Sequence, residues 1–130
     1  MVSGLTFTSA GTLSAGRDVS LTSQTFNIVN QSRGAVFAGR DISLTAGRAI
    51  TNAGLISADE TINITTGSNS AFNNLFGGAS AGDGIISGSD VNIAAGTTLN
   101  NYAILSATNA ISLASGGGSI VNHVLSLIHI

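Results

Sequence analysis

Short apolar–polar–apolar triplets recur along the chain, and this alternation is typical of β-strands with one buried face. The first residue of every triplet is β-branched, which suits the pleated surface of a sheet. Apolar positions do not repeat with the 3.6-residue period of an amphipathic helix, so we expect an all-β chain. The triplets occupy residues 19–21, 42–44, 62–64, 91–93 and 111–113.

Two further positions keep a fixed distance from each triplet. An aliphatic residue lies six positions before the first triplet residue, and a small residue lies four positions before it. We expect the aliphatic side chains to point inward and to stack from one copy to the next as a dry core. The small residues are Ala15, Ala38, Ala58, Ser87 and Ala107. The predicted core stack is Val19, Ile42, Ile62, Val91, Ile111, Leu13, Val36, Ile56, Ile85 and Leu105.

A turn position follows each triplet, five residues after its first member. The first copy has Gln24 at this position, and the later copies all have glycine. A glycine directly after a strand favours a sharp turn with positive φ, and we predict that conformation here. The glycines are Gly47, Gly67, Gly96 and Gly116.

A second short segment of the form apolar-x-Asn recurs once in every copy, and its asparagine always lies at the same position of the repeat. Stacked side-chain amides can bond to one another and to free backbone groups, so we predict a structural ladder at a corner of the fold. Ligand binding by these asparagines is the alternative, but function usually interrupts a repeat whereas structure follows it. The ladder residues are Asn30, Asn52, Asn74, Asn101 and Asn122.

Three short strands per repeat of about 20 residues cannot bury a core alone, but stacked repeats can. The sequence therefore predicts a right-handed parallel β-helix of about five coils, with one strand of each coil in each of three parallel sheets. The repeat region spans residues 1–124. The coil elements lie near residues 5–24, 26–47, 50–67, 72–96 and 99–116, and the next coil starts at 120.

One insertion, from Ser68 to Gly84, stretches the repeat. Insertions in solenoids form loops, often on a binding face, which makes Leu75 and Phe76 candidates for partner contact. In the alternative, these two side chains fold back onto the coils.

Two copies carry nearly the same segment, Ala-Gly-Arg-Asp-Val-Ser-Leu-Thr at 15–22 and Ala-Gly-Arg-Asp-Ile-Ser-Leu-Thr at 38–45. These segments resemble the filamentous haemagglutinin repeat, and residues 50–56 are similar to the same family's Asn-x-Gly-x-Ile segment. The resemblance extends from about Leu5 to Asn122. It implies the shaft of a very long exoprotein of Gram-negative bacteria.

The resemblance also implies secretion or display at the cell surface, after export through a dedicated outer-membrane transporter by two-partner secretion. Some such proteins bind host or bacterial surface receptors, and others are contact-dependent inhibition proteins that present a C-terminal toxin. The family's secretion domain has an Asn-Pro-Asn-Gly signature, and this chain contains no proline. We therefore expect a segment from inside the shaft.

The last residues, 125–130, read Leu-Ser-Leu-Ile-His-Ile and break the repeat. They resemble the translation of a transposon-end sequencing adapter, so we expect a tail of that origin. A genuine strand is the alternative.

Charged residues make up only 8% of the 130 residues, and the formal net charge is −2. The chain has no Lys, which argues against nucleic-acid binding, and no Cys, which excludes disulfides and thiolate metal sites. No motif predicts a cofactor, a metal or a small-molecule substrate. We therefore predict a structural, non-enzymatic protein whose immediate partners are the neighbouring coils of its own chain.

The alternative function is a polysaccharide lyase or glycosidase, since such enzymes also use β-helices. Glycosidases need two carboxylates that face one bond. Asp18 and Asp41 are instead consecutive in one column, and Thr61 and Ala110 replace them in later copies. A third class, the ice-binding solenoid, requires regular Thr-x-Thr columns that this sequence lacks.

Overall fold

The computed structural model of the chain describes residues 2–3, 6–76, 84–123 and 127–130. Within these ranges the chain forms strands and no helix, and every strand pairing is parallel. The predicted all-β parallel solenoid of about five coils is confirmed. Its handedness stays a prediction.

The strands are short because bends recur every few residues. In chain order they are β1 (Val2–Ser3), β2 (Phe7–Ser9), β3 (Thr12–Ala15), β4 (Val19–Ser23), β5 (Ile28–Asn30), β6 (Ala35–Ala38), β7 (Ile42–Ala46), β8 (Ile50–Asn52), β9 (Leu55–Ala58), β10 (Thr61–Thr65), β11 (Phe72–Asn74), β12 (Ile85–Ala95), β13 (Leu99–Asn101), β14 (Ile104–Ser115), β15 (Ile120–Asn122) and β16 (Leu127–His129).

Each coil adds one strand to each of three columns, but the columns form two hydrogen-bonded sheets rather than the three that we predicted. A six-stranded sheet has the order β15-β13-β11-β8-β5-β2. The other two columns join into one ten-stranded sheet, because β12 and β14 run without a break through the corner at which earlier coils bend. Their mutual pairing shifts register between Gly88 and Asp90, so the corner becomes a bulge.

The core follows from strict alternation along the strands. Val19, Ile42, Ile62, Val91 and Ile111 lie directly above one another as register partners. Of these, Ile42, Ile62 and Val91 are completely buried. Such stacking removes aliphatic surface from water only when neighbouring coils are present, so each coil depends on the next.

The assignment of Ile85 to the core stack is wrong. Ile86 is the completely buried residue, and it lies in register with Ile56 and Leu105, whereas Ile85 is half-buried and points outward. The reason is that this coil has one residue fewer between its core position and Val91. Counting back a constant six residues therefore reaches the wrong isoleucine.

Because this coil is one residue shorter, the predicted small residue, Ser87, is also wrong by one position. Gly88, and not Ser87, is the register partner of Ala107. Gly88 is buried, while Ser87 points outward beside Ser57 and Ser106.

The turn glycines have a different role from the one predicted. Among the described glycines only Gly84 has a positive φ, 77°, so the predicted left-handed turns at the other positions are wrong. A Cβ added to Gly47 would overlap the carbonyl oxygen of Gln24 in the preceding coil, and one added to Gly67 would overlap that of Gly47. These corners need glycine because successive backbones pass too close for a side chain.

The insertion and the tail lie partly outside the described residues. Within 68–84, residues 68–76 and 84 are described, and β11 occupies the ladder position of its coil. Of the tail, residues 127–130 are described, and β16 pairs in parallel with β14.

Candidate functional site

The five predicted ladder asparagines lie at one corner, where their side chains form a continuous chain of hydrogen bonds. The Nδ2 of each of the first four donates to the Oδ1 of the next ladder asparagine, and every one of these donors points toward the C-terminus. Asn52, Asn74 and Asn101 are completely buried. The donor–acceptor distances are 2.8 Å from Asn30 to Asn52, 2.9 Å from Asn52 to Asn74, 2.9 Å from Asn74 to Asn101 and 2.8 Å from Asn101 to Asn122.

The amides of the first four ladder residues also donate to backbone carbonyls. Asn52 donates to the carbonyl oxygen of Gly54 at 3.0 Å, and Asn74 donates to that of Gly84 at 2.8 Å. The ladder thus binds turn carbonyls as well as its own amides. Chemically, the arrangement supports the corner.

The ladder has one unsatisfied atom, the Oδ1 of Asn30, which is buried and accepts no hydrogen bond. The register partner of Asn30 in the preceding coil is Ser9. The Ser9 hydroxyl donates to the carbonyl oxygen of Gly11 at 3.2 Å. Because serine is too short to continue the amide chain, the described ladder starts at Asn30.

Charged side chains gather at the corner between the strand column of β6 and the strand column of β7. Arg40 binds Asp18 in a two-pronged ion pair, with Nε–Oδ1 and Nη2–Oδ2 distances of 3.1 and 2.9 Å. The hydrogen bond from Arg40 holds the pKa of Asp18 below its usual value of 3.8. Both side chains are more than 40% exposed, so solvent screens the pair.

The other carboxylates of this column are also occupied. Asp41 accepts a hydrogen bond from the backbone N–H of Thr61 at 3.0 Å, and Asp90 accepts one from Asn109 at 2.7 Å. Asp90 was missing from the predicted column, although its place directly before Val91 is the same sequence signal. The acids follow one another along the solenoid and do not face each other across a cleft. The described residues include no group of His, Cys, Asp and Glu that could hold a metal ion.

Comparison with known families decides what this repeat is. The family model described as the haemagglutinin repeat matches residues 2–32, 26–71 and 77–125. This chain belongs to the haemagglutinin-repeat family. The resemblance drawn from residues 15–22 and 38–45 is thereby confirmed. A search of curated proteins and a search of solved structures each returned no significant match.

Membership in the haemagglutinin-repeat family gives the chain a shaft-type role in an adhesin, and the family consists of secreted or cell-surface proteins. The stacked coils of one chain are the partners that such a shaft requires. In the described ranges, no helix has the length and apolar character needed to cross a membrane.

The candidate partner residues of this haemagglutinin repeat lie at the corner just after the ladder. Leu75 is 36% exposed and Phe76 is 70% exposed. The backbone N–H of Leu75 donates to the carbonyl oxygen of Asn52 at 2.6 Å, so the loop starts from a fixed point of the coil. Residues 77–83 of the predicted loop lie outside the described residues.

A ring pair that the sequence analysis missed lies at the same corner in the next coils. Tyr102 stacks on His123 with ring centroids 3.6 Å apart and an angle of 9° between the planes. Each of these residues directly follows a ladder asparagine, as Leu75 follows Asn74. Their sequence signal was this constant offset from the ladder.

Proposed function

We propose that this chain is a rigid shaft segment of a large secreted or surface-anchored bacterial adhesin. The observation that supports this most directly is the unbroken chain of amide hydrogen bonds from Asn30 to Asn122. A polar ladder beside a stacked aliphatic core ties every coil to both neighbours, and a solenoid of this kind resists bending. The role is mechanical, because the shaft separates the two parts of the parent protein that it connects.

In the parent protein the shaft acts in cell adhesion or holds a distal toxin away from the producing cell. Family membership supports export through an outer-membrane transporter, retention at the outer membrane and a receptor on a host or bacterial cell. The absence of cysteine suits this route, because a chain that crosses a pore unfolded cannot be trapped by disulfides.

We propose no enzymatic activity and no cofactor for the chain. The alternative, a polysaccharide lyase or glycosidase, needs free acids on both sides of a bound sugar. The carboxylates of Asp18, Asp41 and Asp90 are each engaged by a neighbouring donor.

The test is to display one, two or three tandem copies of the chain between a membrane anchor and a distal epitope on bacterial cells. Each copy is expected to move the epitope outward by roughly 25 Å, because stacked strands are about 4.8 Å apart. Ile62→Asp in every copy should abolish this increment, whereas the matched Ser43→Asp should preserve it. A height that does not grow with copy number would contradict the proposal, and release of oligosaccharides from neutral or acidic polysaccharides would support the enzyme instead.

A further inference from the structure

The strand column that contains β6 and β9 has an outer surface made of two residue columns. Strand alternation turns the first and third residues of each strand outward, while Val36, Ile56, Ile86 and Leu105 point inward. We call this surface the outer face, and its described residues include no charged side chain. In four successive coils it consists of the pairs Ala35 and Phe37, Leu55 and Ser57, Ile85 and Ser87, and Ile104 and Ser106.

Each of these four coils pairs one large apolar side chain with one small side chain, whereas the preceding coil turns Thr12 and Ser14 of β3 outward and has no large apolar one. In the first of these coils the small residue, Ala35, comes before the large one, Phe37. In the next three coils the order is reversed, as in Leu55 and Ser57. Phe37 is 37% exposed, and the outward Leu and Ile side chains are only half-buried by their neighbours along the column. Such a surface leaves apolar area in water unless something covers it.

We propose that the outer face packs against the outer face of a second copy of this chain, with the two solenoids side by side and parallel. The two-fold axis of this pair runs along the solenoid axis. Rotation about that axis sets equivalent coils opposite each other and exchanges the two residue columns. The first outward residue of each coil then faces the second outward residue of the other copy.

This arrangement places a large side chain over a small one in all four coils. Leu55 of one copy meets Ser57 of the other, and Phe37 meets Ala35. The reversal of order in the Ala35 coil leaves the match intact, because the exchange applies to each coil separately. Interdigitation of this kind makes two identical sheet faces complementary. No like charges oppose each other across the interface, although each copy has a net charge of −2.

The opposite arrangement, with antiparallel solenoids and a two-fold axis along the strands, fits poorly. Rotation about that axis places each residue column opposite the same column of the second copy. The Leu and Ile side chains of the two copies would then collide, while their serine columns would face each other across a gap. The parallel arrangement is therefore the one that the side-chain sizes favour.

Pairing through four coils is expected to be weak. Four residues per strand and four stacked strands give a face of roughly 250 Å² per copy, well below the roughly 800 Å² per partner of a stable interface. Association should strengthen as coils with a large–small pair are added, because each such coil contributes another match.

The first test uses cysteine cross-linking, since the chain has no cysteine of its own. Chains with Leu55→Cys are mixed with chains with Ser57→Cys and treated with a short bismaleimide, because packed sheets lie about 10 Å apart. The mixed cross-link is expected in several-fold excess over either cross-link between identical chains. Ser43→Cys mixed with Thr45→Cys, an outward pair on the neighbouring strand column of the same sheet, is the matched control and should give no excess.

Each other outcome would overturn the proposal. A preferred cross-link between Leu55→Cys and Ile85→Cys, which face each other when the four coils overlap in reverse order, would indicate antiparallel packing. Equal yields at the control pair would indicate random collision, and no cross-link at either pair would mean that copies meet only at their ends.

The second test exchanges the large and the small side chain within one coil. Ala35→Phe places a large side chain opposite Phe37 of the other copy, so the Kd for pairing should rise about tenfold in sedimentation equilibrium. Adding Phe37→Ala to this variant restores a large–small match and should return the Kd close to the original value. Both positions point outward, so the fold is retained, and circular dichroism checks this. A double variant that pairs as poorly as the single variant would contradict the interface.

Discussion

The side-chain amide of Asn52 donates from Nδ2 to the Oδ1 of Asn74, one coil further along, at 2.9 Å, and both residues are completely buried. Each amide in this corner is a donor to one neighbour and an acceptor from the other. The loss of one amide therefore leaves two buried groups without their partners, and an unpaired buried group costs about 1–3 kcal/mol.

Replacing Asn52 with alanine is expected to lower the free energy of unfolding by about 3 kcal/mol, because Asn74 loses its donor and Asn30 loses an acceptor. Urea denaturation followed by circular dichroism measures the change. Asn63→Ala is the control, since Asn63 is exposed and its amide accepts only a surface hydrogen bond from Asn92. Similar losses in the two variants would contradict the importance of the buried ladder.

Extending the ladder at its first described position should stabilise the fold. In Ser9→Asn, the new Nδ2 can donate to the unsatisfied Oδ1 of Asn30, and we expect a gain of about 1 kcal/mol. Thr8→Asn, whose side chain points outward from the same strand, should give no gain in the same denaturation experiment. A stability of Ser9→Asn at or below that of the parent chain would refute the prediction.

The corner glycines should tolerate substitution only where the backbone leaves room. Gly67→Ala forces a Cβ onto the carbonyl oxygen of Gly47, so we expect a loss of about 3 kcal/mol or more. Gly11→Ala meets nothing within 4 Å and should change stability by less than about 1 kcal/mol. Thermal unfolding of both variants checks this. If glycine were required at every bend, the two variants would lose equal stability, and the close backbone approach would not be the cause.

Charge should be rejected at inward positions and accepted at outward ones. Ile62→Asp buries a carboxylate between Ile42 and Val91 and should cost more than about 4 kcal/mol, enough to unfold the central coils. Ser43→Asp lies on an outer surface and should cost less than about 1 kcal/mol. Equal losses of thermal stability would show that the inward and outward phases are assigned incorrectly.

The ion pair between Asp18 and Arg40 predicts a specific pH dependence. Because the folded pKa of Asp18 is lowered, the pair stabilises the fold above about pH 4, and this contribution disappears as the pH falls through the folded pKa. In an NMR titration, Arg40→Gln should raise the pKa of Asp18 toward 3.8. Arg48→Gln, which removes a different exposed arginine, should leave it in place. An unchanged pKa in Arg40→Gln would mean that the ion pair does not form in solution.

The fold was predictable because the same physical requirement returns in every coil. A residue such as Ile62 must be aliphatic in each copy, so its position can be read from spacing alone. The error at Ile85 arose where a coil lost one residue, since the constant spacing of six points to Ile85 and only the register with Ile56 identifies Ile86.

The physical role of a residue that repeats at fixed spacing was harder to predict than its position. A glycine after a strand serves a left-handed turn or a close backbone approach, and the sequence is the same in both cases. At Gly47 the decisive fact is the carbonyl oxygen of Gln24 beside it, which belongs to another coil. The stack of Tyr102 on His123 likewise depends on a contact between coils: their shared offset from the ladder places both rings at one corner, but it does not show that they stack.

The uniform direction of the amide chain makes the coils interchangeable parts. Every coil with a ladder asparagine offers an acceptor on one side and a donor on the other, so any such coil can be duplicated or deleted without reversing a bond in its neighbours. Gene recombination that adds or removes whole repeats therefore changes the reach of the molecule in steps of about 4.8 Å while its cross-section stays the same.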